Sequence, residues 1–132
     1  MKKPQRLRVS DVMSSKVVYI DGMATAKQAA ELMRQEKTEA LIVSKRDEHD
    51  AHGIVVVQDL VRAVILADMD ATEVNVFEMM TKPVLPVPAS MDIRYVVRLL
   101  MRTEMRRAPV EENGELVGVV SLSSLILDEL LF

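Results

Sequence analysis

Val9-Ser10-Asp11-Val12-Met13-Ser14, followed by Val17, returns further along the chain as Val76-Phe77-Glu78-Met79-Met80-Thr81, followed by Val84. At the same offset Leu32 falls on Leu99 and Val43 on Val110. After a slightly longer loop in the first copy, Gly53-Ile54-Val55 corresponds to Gly118-Val119-Val120, and Leu60 to Leu125. Matches that keep their order across almost the whole chain mark tandem copies of one supersecondary unit. Clefts between such repeats are natural ligand sites, so the duplication predicts two equivalent clefts.

Working outward, each copy reads as strand, helix, strand, strand, helix. In the first copy Ser10 is placed as the cap of a short helical turn, and Val17 to Ile20 as a brief strand. Thr25-Ala26-Lys27-Gln28 has the form of a capping box. Behind it Ala26, Ala29, Ala30, Leu32 and Met33 form one apolar face of a helix running to about Lys37. Ala40 to Val43 and Gly53 to Val57 are strands around a polar hairpin loop, and Gln58 to Ala67 is the closing helix. In the second copy Asn75-Val76-Phe77-Glu78 is another capping box. Pro83, Pro86 and Pro88 confine the Val84 to Val87 strand to an edge. Ser90 is placed as the cap of a helix through about Glu104. Asn113-Gly114 joins strands Ala108 to Glu111 and Leu116 to Val120 as a tight hairpin turn. Ser121 starts the last helix. The expected fold is α+β, two tandem β-α-β-β-α repeats packed as a pseudo-two-fold pair. The repeats span 9–68 and 75–130, behind a solvated basic arm over 1–8 that carries Lys2, Lys3, Arg6 and Arg8.

Composition narrows the function. The chain has 132 residues, 28% of them charged, with a formal net charge of −3, which argues against a general nucleic-acid binder. It contains no cysteine, excluding disulfides and thiol catalysis and agreeing with a cytoplasmic setting. No apolar run reaches the roughly 18 residues that cross a bilayer. Ile126, Leu127, Leu130, Leu131 and Phe132 crowd the C-terminus, a cluster expected to serve self-association. The run Asp47-Glu48-His49-Asp50-Ala51-His52 matches no closed metal site and is read as a solvated hairpin loop.

Asp11-Val12-Met13-Ser14 and Glu78-Met79-Met80-Thr81, with Ala29-Ala30-Glu31-Leu32-Met33, Ala108-Pro109-Val110 and the two Gly-apolar-apolar stretches, together resemble the tandem CBS domain, named for cystathionine β-synthase. The resemblance covers about residues 9 to 130. It implies a non-enzymatic regulatory module with no required cofactor. Such a module binds an adenosine compound (AMP, ADP, ATP or S-adenosylmethionine) in clefts between repeats, commonly as a homodimer, and passes its state to a client protein. The family's ribose-phosphate signature is Gly, two apolar residues, Thr or Ser, two variable residues, Asp. A hydroxyl at a helix N-terminus suits a phosphate, and a carboxylate can accept from both ribose hydroxyls. The first copy keeps Asp59 but carries Val56 at the hydroxyl position; the second keeps Ser121 but carries Ser124 at the carboxylate position. Leu41, Ile42 and Val43, with Ala108, Pro109 and Val110, would line the adenine. Ser14, Lys16, Thr81 and Lys82 would reach the cleft from the opening strands, and Arg107, with Arg102 and Arg106, would add positive charge. Two bland readings stand beside these: Ser121 as no more than an N-cap, and Asp59 as a favourable charge in a first helical turn. The alternative function is a ligand-free interaction module with degenerate sites.

Overall fold

The computed structural model describes residues 6–128. It divides into two compact units, one continuous over Val18–Val84 and one assembled from both flanking segments, 6–17 with 85–128. We call them the central and the split unit.

The central unit holds β1 (Tyr19–Ile20), α2 (Ala26–Glu36), β2 (Ala40–Val43), β3 (Gly53–Val56) and α3 (Val57–Leu60). A wider π-helical turn, Val61–Leu66, continues α3, and a short 3-10 turn spans Val76–Glu78. β1 runs parallel to β2, and β2 antiparallel to β3 with Val43 opposite Gly53 and Ala40 opposite Val56. Alternation along the pleat turns Leu41, Val43 and Val55 to the face covered by α2, where they pack with Ile20, Ala29, Met33 and Val76. Thr25 caps α2 as expected. Its Oγ1 accepts the Gln28 N–H at 3.1 Å, and its own N–H donates to Gln28 Oε1 at 2.9 Å. The free N–H groups of Ala26 and Lys27 in the first turn of α2 donate to the carbonyls of Val74 and Ala71. The boundary segment after the first repeat is thereby tied to this helix.

The split unit holds α1 (Val9–Val12), β4 (Val87–Pro88), α4 (Ile93–Thr103), β5 (Arg107–Glu112), β6 (Glu115–Ser121) and α5 (Leu122–Leu127). β4 lies at the sheet edge, parallel to β5, as its prolines require, and β5 pairs antiparallel with β6. The β5–β6 turn places Asn113 at φ 53° and Gly114 at φ 81°, the left-handed conformation that this dipeptide favours. Val9, Val12, Val87, Ile93, Val96, Leu100, Val110, Val120 and Leu125 form the core.

The openings of the two copies therefore change places. α1, from the first copy, donates Val9 N–H to Met91 O and Ser10 N–H to Ala89 O, both 2.9 Å. The 3-10 turn, from the second copy, donates Val76 N–H to Ala24 O at 2.8 Å and Phe77 N–H to Gly22 O at 3.0 Å. One step on, Ser14 exchanges two 2.9 Å backbone bonds with Val119, and Thr81 exchanges two with Ile54. This approach explains the repeated glycine. A Cβ on Gly118 would stand 2.5 Å from Ser14 O, and one on Gly53 would stand 2.9 Å from Met80 Sδ and 3.2 Å from Thr81 O.

Several sequence expectations are corrected. Ser10 is not a cap: Arg8 occupies that position, and its N–H donates to Asp11 Oδ2 at 2.9 Å. Asp92 rather than Ser90 caps α4, because its carboxylate stands two residues before the Arg94 N–H it accepts at 2.9 Å. β1 begins at Tyr19, β4 begins at Val87, and β3 ends at Val56 because Val57 already opens α3. The closing helix of the first copy is not a regular α-helix to Ala67: it widens into the π-helical turn from Val61 to Leu66. The basic arm is not solvated to its end: Leu7 O accepts the Ile93 N–H at 2.8 Å, and Arg8 bridges Asp92. Lys2, Lys3, Leu130, Leu131 and Phe132 lie outside the described residues.

Candidate functional site

Each unit gathers one half of the ribose-phosphate signature at one end of its sheet. In the split unit Ser121 closes β6 directly opposite Arg107 of β5. Ser121 Oγ accepts the Ser124 N–H at 3.2 Å as the N-cap of α5, and Ser124 Oγ donates back to Ser121 O at 3.0 Å. Ser124 thus completes a local cap and leaves the acidic position of the signature without a charge. Ser14 joins this edge through its bridge to Val119, two residues before Ser121, and its Oγ accepts the Lys16 N–H at 3.3 Å. A hydroxyl at a helix start, two serines and two basic residues are therefore grouped by the register of three paired segments. Ala108 and Val110 point into the core, and Pro109 between them is also buried.

In the central unit Thr81 bridges Ile54, two residues before Val56. Asp59, 8% exposed, is the buried charged residue among those described. Its Oδ2 accepts the Val56 N–H at 2.8 Å, and its Oδ1 accepts from Arg62 Nη1 at 3.2 Å. One oxygen thus stands in for the cap that Val56 cannot supply, and the other holds an ion pair. Leu41 and Val43 are core residues, 0% and 2% exposed, so their side chains serve packing.

The sequence reading missed an ion-pair lock on the β2–β3 loop, which is not the freely solvated hairpin expected. The Asp50 side chain is 9% exposed. It accepts from Lys82 Nζ at 2.7 Å, from Arg46 Nε at 3.2 Å and from the Arg46 N–H at 2.9 Å. The Lys82 hydrogen bond, foremost, and the Arg46 backbone bond hold the Asp50 carboxyl far below the usual carboxylate range. Lys82 is 32 positions away, and the backbone bonds of Thr81 with Ile54 and of Val84 N–H with His52 O bring it within reach. Among the described residues no set of His, Asp and Glu is arranged to hold a metal. No described helix is long and apolar enough to cross a membrane.

Two three-stranded units, each bearing a Gly-apolar-apolar strand that ends at a helix start, are two copies of one β-α-β-β-α repeat. The CBS domain family model matches residues 9–66 and 76–128, and the chain belongs to that family. A relative from Methanopyrus kandleri, the uncharacterized protein MK0525, is 30% identical over 89% of this chain, which spans 60% of that protein. The hexameric CBS-CP12 protein of bloom-forming cyanobacteria superimposes with a TM-score of 0.88 at 37% identity. That match covers 92% of this chain and 70% of that one. The CBS domain pair of protein MJ0100, solved with 5′-methylthioadenosine and S-adenosyl-L-methionine, shares the fold with a TM-score of 0.77 at 19% identity. It covers 92% of this chain and 94% of that one.

Proposed function

We propose that this chain is a non-enzymatic regulatory module that binds an adenosine compound (AMP, ADP, ATP or S-adenosylmethionine) chiefly through its split unit. The observation carrying this reading is the grouping of the Ser121 hydroxyl, at the start of α5, with Arg107 opposite and Ser14 and Lys16 on the adjoining segment. The Ser121 hydroxyl accepts within the cap and still carries an O–H that can donate, and beside a guanidinium it suits a phosphate or a carboxylate. The adenosine ligands of MJ0100, a protein of the same fold, support the choice of ligand class. Ala108, Pro109 and Val110 would supply the apolar wall. Binding would favour one arrangement of the repeats, and a client protein in the cytoplasm would read that population shift. Val61, Ile65, Leu66 and Met69 are exposed on or beside the π-helical turn. They offer an apolar face for pairing with a second copy, as Ile126 and Leu127 do on α5.

The central unit favours a second reading at its own half-site. Asp59 is already engaged by Val56 N–H and Arg62, and no hydroxyl stands at position 56. There Asp59 and Thr81 act in structure, and Leu41 and Val43 in the core. If the split unit were equally inert, the chain would be an interaction module alone.

Calorimetric titration of the full chain with the four compounds separates these readings. The expected result is saturable binding of at least one, weakened about tenfold in Arg107→Gln, the size of effect that loss of a charge-assisted hydrogen bond produces. At a hundred times Kd the ligand would stabilise the fold by about 2.7 kcal/mol. No heat and no thermal shift with any of the four at millimolar concentration would leave the interaction module as the function.

A further inference from the structure

The central unit contains a cavity of about 850 Å³ that no residue of the ribose-phosphate signature lines. It opens where β2 ends. Val43 forms part of its wall, and Lys45 and Arg46 follow on the outgoing loop. Asp59 lies beyond the opposite end of the same sheet, because β3 runs back from Gly53 beside Val43 to Val56 beside Ala40. The two places are separated by the length of a four-residue strand, about 10 Å.

The lining has two chemistries. Val43, Met80, Phe77 and Met23 make an apolar side, and Phe77 and Met23 remain 48% and 70% exposed there. Lys45, Arg46 and Lys82 make a basic rim. Two of these cations are preset: the Asp50 carboxylate, its side chain 9% exposed, holds Lys82 Nζ at 2.7 Å and Arg46 Nε at 3.2 Å. Lys45 engages no carboxylate among the described residues. Asp21, the acidic residue of the lining, has its Oδ1 occupied by the Met23 N–H at 2.8 Å. Counting Asp50, three cations face two carboxylates, which leaves the mouth net positive. The volume lies within the roughly 300–1,000 Å³ typical of small-molecule sites, and such sites combine an apolar wall with a few polar groups.

We propose that this cavity is a second ligand site, taking an organic phosphate whose aromatic or other flat apolar body lies on Phe77 and Met80. The phosphate meets Lys45 and the Arg46 guanidinium, a fork suited to phosphate oxygens. The Asp50 bridge fixes the rim before the ligand arrives, which lowers the ordering cost of binding. The site stands independently of adenosine binding in the split unit, since it shares no residue with it.

The test is a fluorescence titration of the full chain with 1-naphthyl phosphate, set against 1-naphthol and inorganic phosphate. Amide chemical shifts locate the probe. The expected result is binding of naphthyl phosphate at least about tenfold tighter than either fragment, because the two halves act in one site. Shift changes should centre on residues 21–23, 43–46 and 77–82. Lys45→Gln and Phe77→Ala should each weaken binding several-fold, whereas Arg98→Gln, an exposed residue of α4 that does not line the cavity, should not. Lys45 is exposed, so its substitution leaves the fold intact, and an unchanged melting temperature verifies that. Equal affinity for naphthol, an affinity unchanged by Lys45→Gln, or shift changes centred on 106–124 would each overturn the proposal.

Discussion

At the residue scale the duplication is clearest in two glycines with one physical job. Gly53 and Gly118 leave room for the opening segment of the other copy, which crosses each of them through a pair of backbone hydrogen bonds one residue further on. The crowding differs in degree. At Gly118 an added Cβ meets a backbone oxygen at 2.5 Å, whereas at Gly53 the nearest atom is the mobile end of Met80. Gly118→Ala is therefore expected to lower unfolding free energy by about 1–3 kcal/mol, the usual cost of overpacking, and Gly53→Ala by less. Urea denaturation of both variants checks the order; equal and negligible losses would mean that the crossing segments are not held there. The glycines were legible in the sequence as a repeated mark, but their cause was not. The atoms that crowd them most belong to Met13 and Ser14 at Gly118 and to Met80 and Thr81 at Gly53, each pair in the other copy. Asp59 shows the same limit. Its place in the signature was readable, while its engagement by Val56 N–H and Arg62 depended on how α3 starts.

At the scale of elements, periodicity and caps found most of the fold. The apolar faces of α2 and α4, the Thr25 capping box and the Asn113-Gly114 turn lay where the sequence placed them. The misses have local causes. α2 and α4 end on Lys37 and Glu104 at φ 53° and 58°, without the glycine that normally signals such an end. Loop 44–52, read as solvated, is anchored by Asp50 across to Lys82, a pairing with no sequence spacing to announce it. That anchor gives the loop a pH dependence. The Asp50 carboxyl sits below its ordinary value near 4 in the folded chain. Its stabilisation is thus complete above pH 4 and fades as the pH falls below that value and the unfolded chain takes up the proton more readily. Asp50→Asn should melt below the wild type at pH 7, and the gap should narrow from pH 4 downward. Melting curves from pH 7 to 2.5 measure it; a constant gap would mean that the carboxylate charge is not what holds the loop.

For the molecule as a whole, the two copies share an architecture and differ in chemistry. Both units follow β-α-β-β-α and both borrow their opening turn, yet the signature hydroxyl stands opposite Arg107 in the split unit and the signature carboxylate is locked by Arg62 in the central one. The exchange of openings escaped the sequence because backbone bonds such as Val9 N–H to Met91 O carry no side-chain signature. The asymmetry, by contrast, was readable at Val56 and Ser124, since a missing hydroxyl or carboxylate is a fact of composition. The central claim is that an adenosine compound binds at the split unit's sheet edge. Amide hydrogen exchange of the full chain, with and without each of AMP, ADP, ATP and S-adenosylmethionine at saturating concentration, tests it most directly. The account predicts added protection at residues 14–16 and 119–124 with at least one of them. Protection confined to residues 53–60, or none with any of the four, would contradict it.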